Sequence, residues 1–330
     1  MLPGRPAHAR RIQRADRRAI GGGTTQGVIR EGRLHRTRRH RTEGISAGAR
    51  RAARCRAAPP DPYAGHPGAD RRHLPPARRP VPHRPGRAAR HRPGRGVRAR
   101  PPTAHPEIVT RLVEAGVPTY VDKPIAYDLA DTERIVRLAE ERRVSLAVGF
   151  NRRYAPGYAQ GLEHPRDLIL MQKNRVGLPE APRTLVLDDF IHVVDTLRFL
   201  APGTVEHVDV RAKIRDGLMH HVVLHLSGDG FSAIGSMNRL SGSTEEILDV
   251  SGQDTKRQVV NLAEVIDHKG QPSVRRRGDW VPVARQRGIE QIVLAFLDEV
   301  RAGRFVPAED ALRTHELCER VIEEALAQAG

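Results

Sequence analysis

The chain has 330 residues, with 56 Lys and Arg against 39 Asp and Glu, a formal charge of +17. That length suggests two domains. Two distant cysteines, Cys55 and Cys318, exclude a disulfide framework and point to a reducing compartment. No apolar run approaches the roughly 18–20 residues of a membrane-spanning helix.

The charge is unevenly divided. Residues 1–102 hold 27 Arg, no Lys and five acids, whereas the remaining 228 residues hold 29 basic and 34 acidic residues. Arg, Ala, Pro, Gly and His supply 77 of the first 102 positions, and only 11 are Leu, Ile, Val, Met, Phe or Trp. Such a segment cannot bury enough apolar surface to offset chain entropy, so it is expected to be disordered. A nucleic-acid-binding arm would need interleaved aromatics, and Tyr63 is the only one here. A transit peptide would be shorter and poorer in Pro. The composition fits best a GC-rich gene read in a shifted frame, with a slip near Pro101-Pro102.

From Thr103 onward the pattern is that of a folded protein. Pro106–Gly116 reads as a helix with Ile108, Val109, Leu112 and Val113 on one face. Val117–Val121 reads as a strand, Leu129–Arg143 as a helix and Val144–Phe150 as a strand. This order is the grammar of a parallel α/β unit, the C-terminal half of a Rossmann-type sheet. After a short helix near Tyr158 and a strand at Asp167–Lys173, Asp188–Leu200 is helical. Strands follow at Val205–Ile214, Leu218–Leu226, Phe231–Met237, Glu246–Ser251 and Gln258–Ile266, the second and third joined by the turn Ser227-Gly228-Asp229-Gly230. Helices at Gly288–Arg301 and Ala308–Ala327 close the chain. The expected class is α/β: a partial Rossmann-type parallel sheet (103–150), then an α/β domain with an open, largely antiparallel sheet (151–330).

Two places invite chemistry. Asp188, His192 and Asp195 recur at i, i+4 and i+7 on an otherwise apolar helix, which would align them on one face. They read either as an N-cap and a core histidine or as an acid/base histidine oriented by an aspartate. Lys123 follows the strand 117–121 directly, where residues of a parallel sheet face a binding crevice. By itself it reads equally as a solvated lysine. His220, His221 and His225 lack a completing acid or Cys cluster, so no metal site is expected. His315 and Cys318 read as packing residues, Arg275-Arg276-Arg277 as a solvated turn, and Trp280 as a sheet or interface anchor.

Tyr120-Val121-Asp122-Lys123-Pro124-Ile125-Ala126, Gly149-Phe150-Asn151-Arg152-Arg153-Tyr154-Ala155-Pro156 and Asp188-Asp189-Phe190-Ile191-His192-Val193-Val194-Asp195 together resemble the Gfo/Idh/MocA oxidoreductases, with the MviM-like subgroup nearest. The resemblance covers residues 103–330. It implies NAD or NADP, and hydride transfer on a hydroxyl-bearing carbon of a sugar- or cyclitol-like molecule. It further implies a cytoplasmic homo-oligomer. Lys123 would lie near the nicotinamide and the reacting oxygen, His192 would exchange the proton, and Asp188 would orient His192 or hold a substrate hydroxyl. Cofactor contacts would come from Thr103, His105, Lys123, Arg152 and Arg153. The family's G-x-G-x-x-G turn is not met by Gly21-Gly22-Gly23-Thr24-Thr25-Gln26-Gly27, so weak cofactor binding is expected of this chain. A catalytically inactive binding or assembly module and a nucleic-acid-associated protein are the alternatives.

Overall fold

The computed structural model describes the backbone of 96–98 and residues 104–329. The expectations of disorder and of a shifted frame in 1–102 therefore lie outside the described residues except at 96–98, where the backbone forms a strand instead of the expected disorder, and the glycine cluster at 21–27 and Thr103 also lie outside them.

The first layer is a three-stranded parallel sheet, in the order β1 (Gly96–Arg98), β2 (Thr119–Val121), β3 (Leu146–Val148). Between them run α1 (His105–Glu114) and α2 (Leu129–Glu141). Pro106 opens α1, where its missing N–H costs nothing, and Val109 and Val113 form its buried stripe. The Asp128 carboxylate caps α2 by accepting from the N–H groups of Ala130 (2.8 Å) and Asp131 (3.3 Å). Ile135, Val136 and Ala139 are the buried face of that helix. All three residues of β2 are buried, as expected of a strand covered on both faces. The parallel unit read from the sequence is therefore present, with each strand trimmed to three residues.

A one-turn 3-10 segment (Asn151–Tyr154) and α3 (Pro156–Ala159) lead into the second layer. This is an eight-stranded sheet made of β4 (Leu168–Asn174), β5 (His207–Arg215), β6 (Leu218–Gly228), β7 (Phe231–Asn238), β8 (Glu245–Gly252), β9 (Thr255–Val260), β10 (Glu264–Lys269) and β11 (Gln271–Arg276). Its order is β11-β10-β9-β8-β4-β7-β6-β5. Two antiparallel meanders are joined by β4, which pairs antiparallel with β8 and parallel with β7. The parallel pair follows from connectivity. The chain leaves β4 through a long helical segment, α4 (Pro182–Leu185), a π-helical turn (Val186–Phe190) and α5 (Ile191–Leu200), before it forms β5, β6 and β7. The sheet is thus mixed rather than uniformly antiparallel.

One face of the sheet carries α5, buried at every position from Ile191 to Leu197. Gly235 on β7 lets that helix approach: a Cβ there would come within 2.3 Å of Val193 Cγ1 and 2.8 Å of Leu197 Cδ1. Further along, α6 (Val283–Gln286) and α7 (Ile289–Arg301) precede α8 (Glu309–Ala327), which packs on α2 and α5. His315 and Cys318 are buried in it. The His315 Nε2 accepts from the Ile125 N–H (3.1 Å) and its Nδ1 donates to the Ala311 carbonyl (2.8 Å), so it is the packing residue expected.

Two readings are corrected. The single strand expected at Gln258–Ile266 is two strands, because Asn261 and Leu262 take φ values of 51° and 58° and turn the chain back. A leucine gives no warning of a left-handed turn. The solvated turn expected at Arg275-Arg276-Arg277 is the end of β11. There Arg275 pairs with Asp267 (2.9 Å) and Arg276 with Glu264 across the ladder. Trp280 is 96% exposed and anchors nothing within the chain.

Val193 is β-branched and stiff within its helix, so it cannot turn aside for a new methyl group at Gly235. Gly235→Ala should cost about 1–3 kcal/mol of stability by overpacking, measured by urea unfolding. A cost near zero would show that the helix–sheet contact is looser than these distances imply.

Candidate active site

The end of β2 delivers Asp122, Lys123 and Pro124, with a cis peptide between Lys123 and Pro124. The Asp122 carboxylate accepts from the Lys123 N–H (2.9 Å). Half-buried Lys123 sends its Nζ to the main-chain oxygen of Asp188 in the π-helical turn. Burial lowers its ammonium pKa despite the neighbouring carboxylates Asp122, Asp188 and Asp189. The hydroxyl of Tyr127 donates to the Asp188 carboxylate. The first βα unit and the helical segment above the second sheet thus meet at Lys123, Tyr127 and Asp188.

The π turn changes what the sequence spacing implied. In a regular helix Asp188, His192 and Asp195 would share one face, but the wider turn at 186–190 breaks the row. Asp188 faces Tyr127 and Lys123, and no hydrogen bond joins it to His192. Asp195 belongs to a separate cluster. Its carboxylate accepts from Arg153 Nε (2.9 Å) and Nη2 (2.5 Å) and from Thr314 Oγ1 (3.1 Å). Arg153 also pairs with Asp310 at 2.5 Å, and Asp310 pairs with Arg198 at 2.9 Å. The Arg153 guanidinium lies over the rings of Phe150 and Phe199. Expected as a cofactor contact, Arg153 is committed to carboxylates that tie the 151–154 turn to α5 and α8.

Arg152 points the other way. Its Nε and Nη2 donate to Glu246 on β8 (3.2 and 2.9 Å), while its Nη1 reaches Asn151 Oδ1 (3.2 Å) and His192 Nε2 (3.1 Å). Glu246 is buried and also receives Lys173 Nζ (3.2 Å) and the Tyr158 hydroxyl (3.1 Å). Lys173 in turn pairs with Asp189 at 2.8 Å, and Asp189 is further held by Arg175 (3.0 Å) and Arg239 (2.8 Å). Burial alone would raise the Glu246 carboxyl, yet Arg152 and Lys173 hold it down to about 2. Burial and the cations Arg152, Lys173, Lys123 and Arg175 together push the His192 imidazole well below its ordinary value. The arrangement is a buried, neutral histidine over a floor of paired charges in which cations outnumber carboxylates, with a lysine of lowered pKa at its rim.

The remaining expected contact, His105, is buried at the start of α1 and donates from Nδ1 to the Pro124 carbonyl (2.9 Å), which steadies the Lys123-Pro124 turn. Sequence reasoning missed Lys173, Asp189, Glu246, Tyr127 and Tyr158. Lys173 and Glu246 did carry a signal. Each occupies an inward position of an alternating strand, in line with Ile169 and Met171 or with Leu248 and Val250. A charge in that phase needs a buried partner. No group of His, Cys, Asp and Glu suited to a metal ion occurs among the described residues.

Glu246 and Asp310 are held at about 2, below their ordinary values of 4.5 and 3.8. The unfolded chain therefore takes up these protons first, and the stability they confer is complete above the ordinary values and lost as pH falls toward 2. Unfolding midpoints in urea should begin to fall below about pH 6.5, where the unfolded chain protonates the His192 and His315 that the fold keeps neutral, and should fall more steeply below about pH 4.5 as Glu246 and Asp310 join. Glu246→Gln should flatten part of that fall. Arg153→Met, which strands Asp195, should cost about 3–5 kcal/mol.

Known proteins resemble this chain in sequence and fold. Residues 97–150 match the family described as "Oxidoreductase family, NAD-binding Rossmann fold", and 164–269 match "YceM-like, C-terminal domain". The chain is 34% identical over 227 residues to YceM of Salmonella typhimurium, a candidate oxidoreductase, covering 67% of this chain and 73% of that protein. It is 30% identical over 251 residues to the myo-inositol dehydrogenase Hyg17 of Streptomyces leeuwenhoekii, covering 66% and 75%. Among solved structures, the dehydrogenase MviM from Clostridium difficile superposes with a TM-score of 0.64 at 29% identity, over 68% of this chain and 77% of that one. A Gfo/Idh/MocA oxidoreductase from Vibrio cholerae also gives 0.64, at 26% identity, over 69% and 76%. With its parallel βα unit, its open mixed sheet and its Lys-Pro turn beside a helical Asp-Asp-Phe-Ile-His, the chain belongs to the Gfo/Idh/MocA family of oxidoreductases.

Proposed function

We propose that the chain is an NAD(P)-dependent dehydrogenase acting on a hydroxyl-bearing carbon of a polyol or sugar-like substrate, with Lys123, His192 and Asp188 as its catalytic residues. The observation that carries this reading is the meeting of Lys123, at the end of a parallel strand, with the helical segment that holds Asp188 and His192. The described residues lend support at the nicotinamide end. A lysine of lowered pKa stands at the carboxyl end of β2, where ligands of parallel sheets bind. The glycine-rich end lies outside the described residues. When bound, a nicotinamide would supply the hydride acceptor, and Lys123 and the nearby main chain of Asp122 would hold that end.

The protein's own groups would manage the proton and the developing charge. A neutral His192 can accept a hydroxyl proton. The Lys123 ammonium stabilises negative charge on the reacting oxygen, an effect strengthened by its partial burial. Asp188, whose carboxylate takes the Tyr127 hydroxyl, is placed to hold a second substrate hydroxyl. A polyol substrate is supported by the myo-inositol dehydrogenase relative. We assign 103–150 to cofactor binding and 151–330 to substrate binding and self-association. The outer sheet face, where Leu168 and Leu170 are 39% and 37% exposed, is the surface for a second copy in a cytoplasmic oligomer.

The test is calorimetric titration with NAD(H) and NADP(H), then turnover on a panel of inositols and sugars. It uses the full chain and a version in which a glycine-rich phosphate-binding segment replaces the residues before β1. In whichever form binds, His192→Ala should lower kcat by roughly 10²–10⁴-fold with cofactor affinity nearly intact. Lys123→Ala should also lower it, and Asp188→Asn should move the pH profile. His220→Ala, at the irregularity in the β5–β6 ladder and outside the cluster around His192, should have no effect. Full turnover in His192→Ala would overturn the assignment, and binding without turnover on any substrate would favour an inactive binding module.

A further inference from the structure

A guanidinium has five N–H donors and no lone pair. The 3.1 Å contact between Arg152 Nη1 and His192 Nε2 therefore requires the lone pair to be on Nε2. A protonated Nε2 would set N–H against N–H and one cation against another. We infer that Arg152 is a positioning residue for the His192 base, holding the ring in the neutral form protonated at Nδ1 with its Nε2 lone pair capped by the guanidinium until a substrate hydroxyl replaces it. The catalytic part of this inference rests on the dehydrogenase reading, whereas the tautomer does not.

The geometry leaves Arg152 little freedom. Two of its nitrogens are fixed by the Glu246 carboxylate in a forked pair, at 3.2 and 2.9 Å. The third is shared between His192 and Asn151 Oδ1, and Asn151 is itself pinned through Nδ2 to the Arg287 carbonyl at 2.6 Å. Arg152 is buried, with a side-chain exposure of 8%, as is Glu246. A lysine could not serve both the carboxylate and the ring from one ammonium.

The surroundings of His192 favour the same state. Cations face it from the 151–154 turn (Arg152), from β4 (Lys173), from just past β4 (Arg175) and from the end of β2 (Lys123). The carboxylates of Glu246 on β8 and of Asp188 and Asp189 in the π turn are bonded to those cations or to Tyr127, not to the ring. Beyond β7, Arg239 is bonded to Asp189 and Glu180. The buried face of β7 (Phe231, Ala233, Gly235 and Met237) carries no titratable group, and α8 directs Thr314 to Asp195. No carboxylate accepts from His192, so nothing adjacent favours the imidazolium. A base held in this way stays unprotonated in acid, and once it has taken a proton the neighbouring cations favour passing it on.

The experiment is ¹⁵N nuclear magnetic resonance of the full chain carrying ¹⁵N-histidine, without cofactor, the His192 signals being assigned by their loss in His192→Asn. The expected spectrum has Nδ1 protonated and Nε2 bare, and stays so well below pH 6.5, the ordinary value of an imidazole. Arg152→Gln keeps a donor but removes the charge. It should preserve the tautomer while raising the protonation midpoint by about 1 pH unit or more, and Arg152→Lys should restore the low midpoint. In the active form, the acid limb of kcat/KM should move with the same midpoint, with KM changed less than kcat. An Nε2–H tautomer or an imidazolium near neutral pH in the unmodified protein would overturn the inference, even if the variants fail to fold. So would an unmoved midpoint in folded Arg152→Gln. Full turnover in His192→Ala with the expected tautomer present would instead overturn the dehydrogenase reading and leave the tautomer standing.

Discussion

Two adjacent arginines at the end of β3 hold the described structure together, because each satisfies a different set of buried carboxylates. Arg152 reaches Glu246 on the central sheet, and Arg153 reaches Asp195 on α5 and Asp310 at the start of α8. Asp195 has a side-chain exposure of 2% and Glu246 of 8%. Taking away either arginine would leave a buried carboxylate short of its main partner, which is costly. The short turn 151–154 is therefore fixed to the sheet below and the helices above. The parallel βα unit that precedes it is positioned by the same bonds.

Charge placed in this way does not contribute most through net stability. Burying two ions costs nearly as much as their attraction returns, so an apolar replacement of similar shape could be as stable. What the pairs supply is a defined arrangement. The chain Arg152, Glu246, Lys173, Asp189 alternates in sign and ends on two further arginines, Arg175 and Arg239, both paired with Asp189, which leaves few ways to re-pair. His192 stands over that row among cations whose counter-ions are bonded elsewhere. An imidazole in such a place stays neutral, which is the state a proton acceptor needs.

The π turn at 186–190 has the same consequence on the other side of the site. By widening one turn it separates Asp188 from the His192 face and turns its carbonyl to Lys123 and its carboxylate to Tyr127. The lysine and the histidine then reach the site from different elements, tied through one aspartate. Gly288, at φ +79°, lets the chain entering α7 pass against the 151–154 turn, where a Cβ would lie 2.2 Å from the Asn151 carbonyl oxygen. The ends of Arg152's network are thereby closed by backbone as well as by side chains.

By itself the sequence determined the order of the elements, the parallel unit and the family, and it singled out Lys123, Asp188 and His192 as candidates. These depend on local periodicity and short contiguous motifs such as Asp122-Lys123-Pro124. The ladder through β4, with its parallel contact to β7, was not legible, because strand pairing is a relation between segments far apart in the chain. The turn at Asn261-Leu262 was not legible either, since a leucine at positive φ is imposed by the pairing of β9 with β10. Lys173 and Glu246 were half-legible as charges in an apolar phase, but their partners were not. Arg152 and Arg153 look alike in sequence, and only the tertiary structure gave one to the histidine and the other to a structural clamp. A side chain's role in a buried site is set by which charges surround it, and folding brings those charges from every part of the chain.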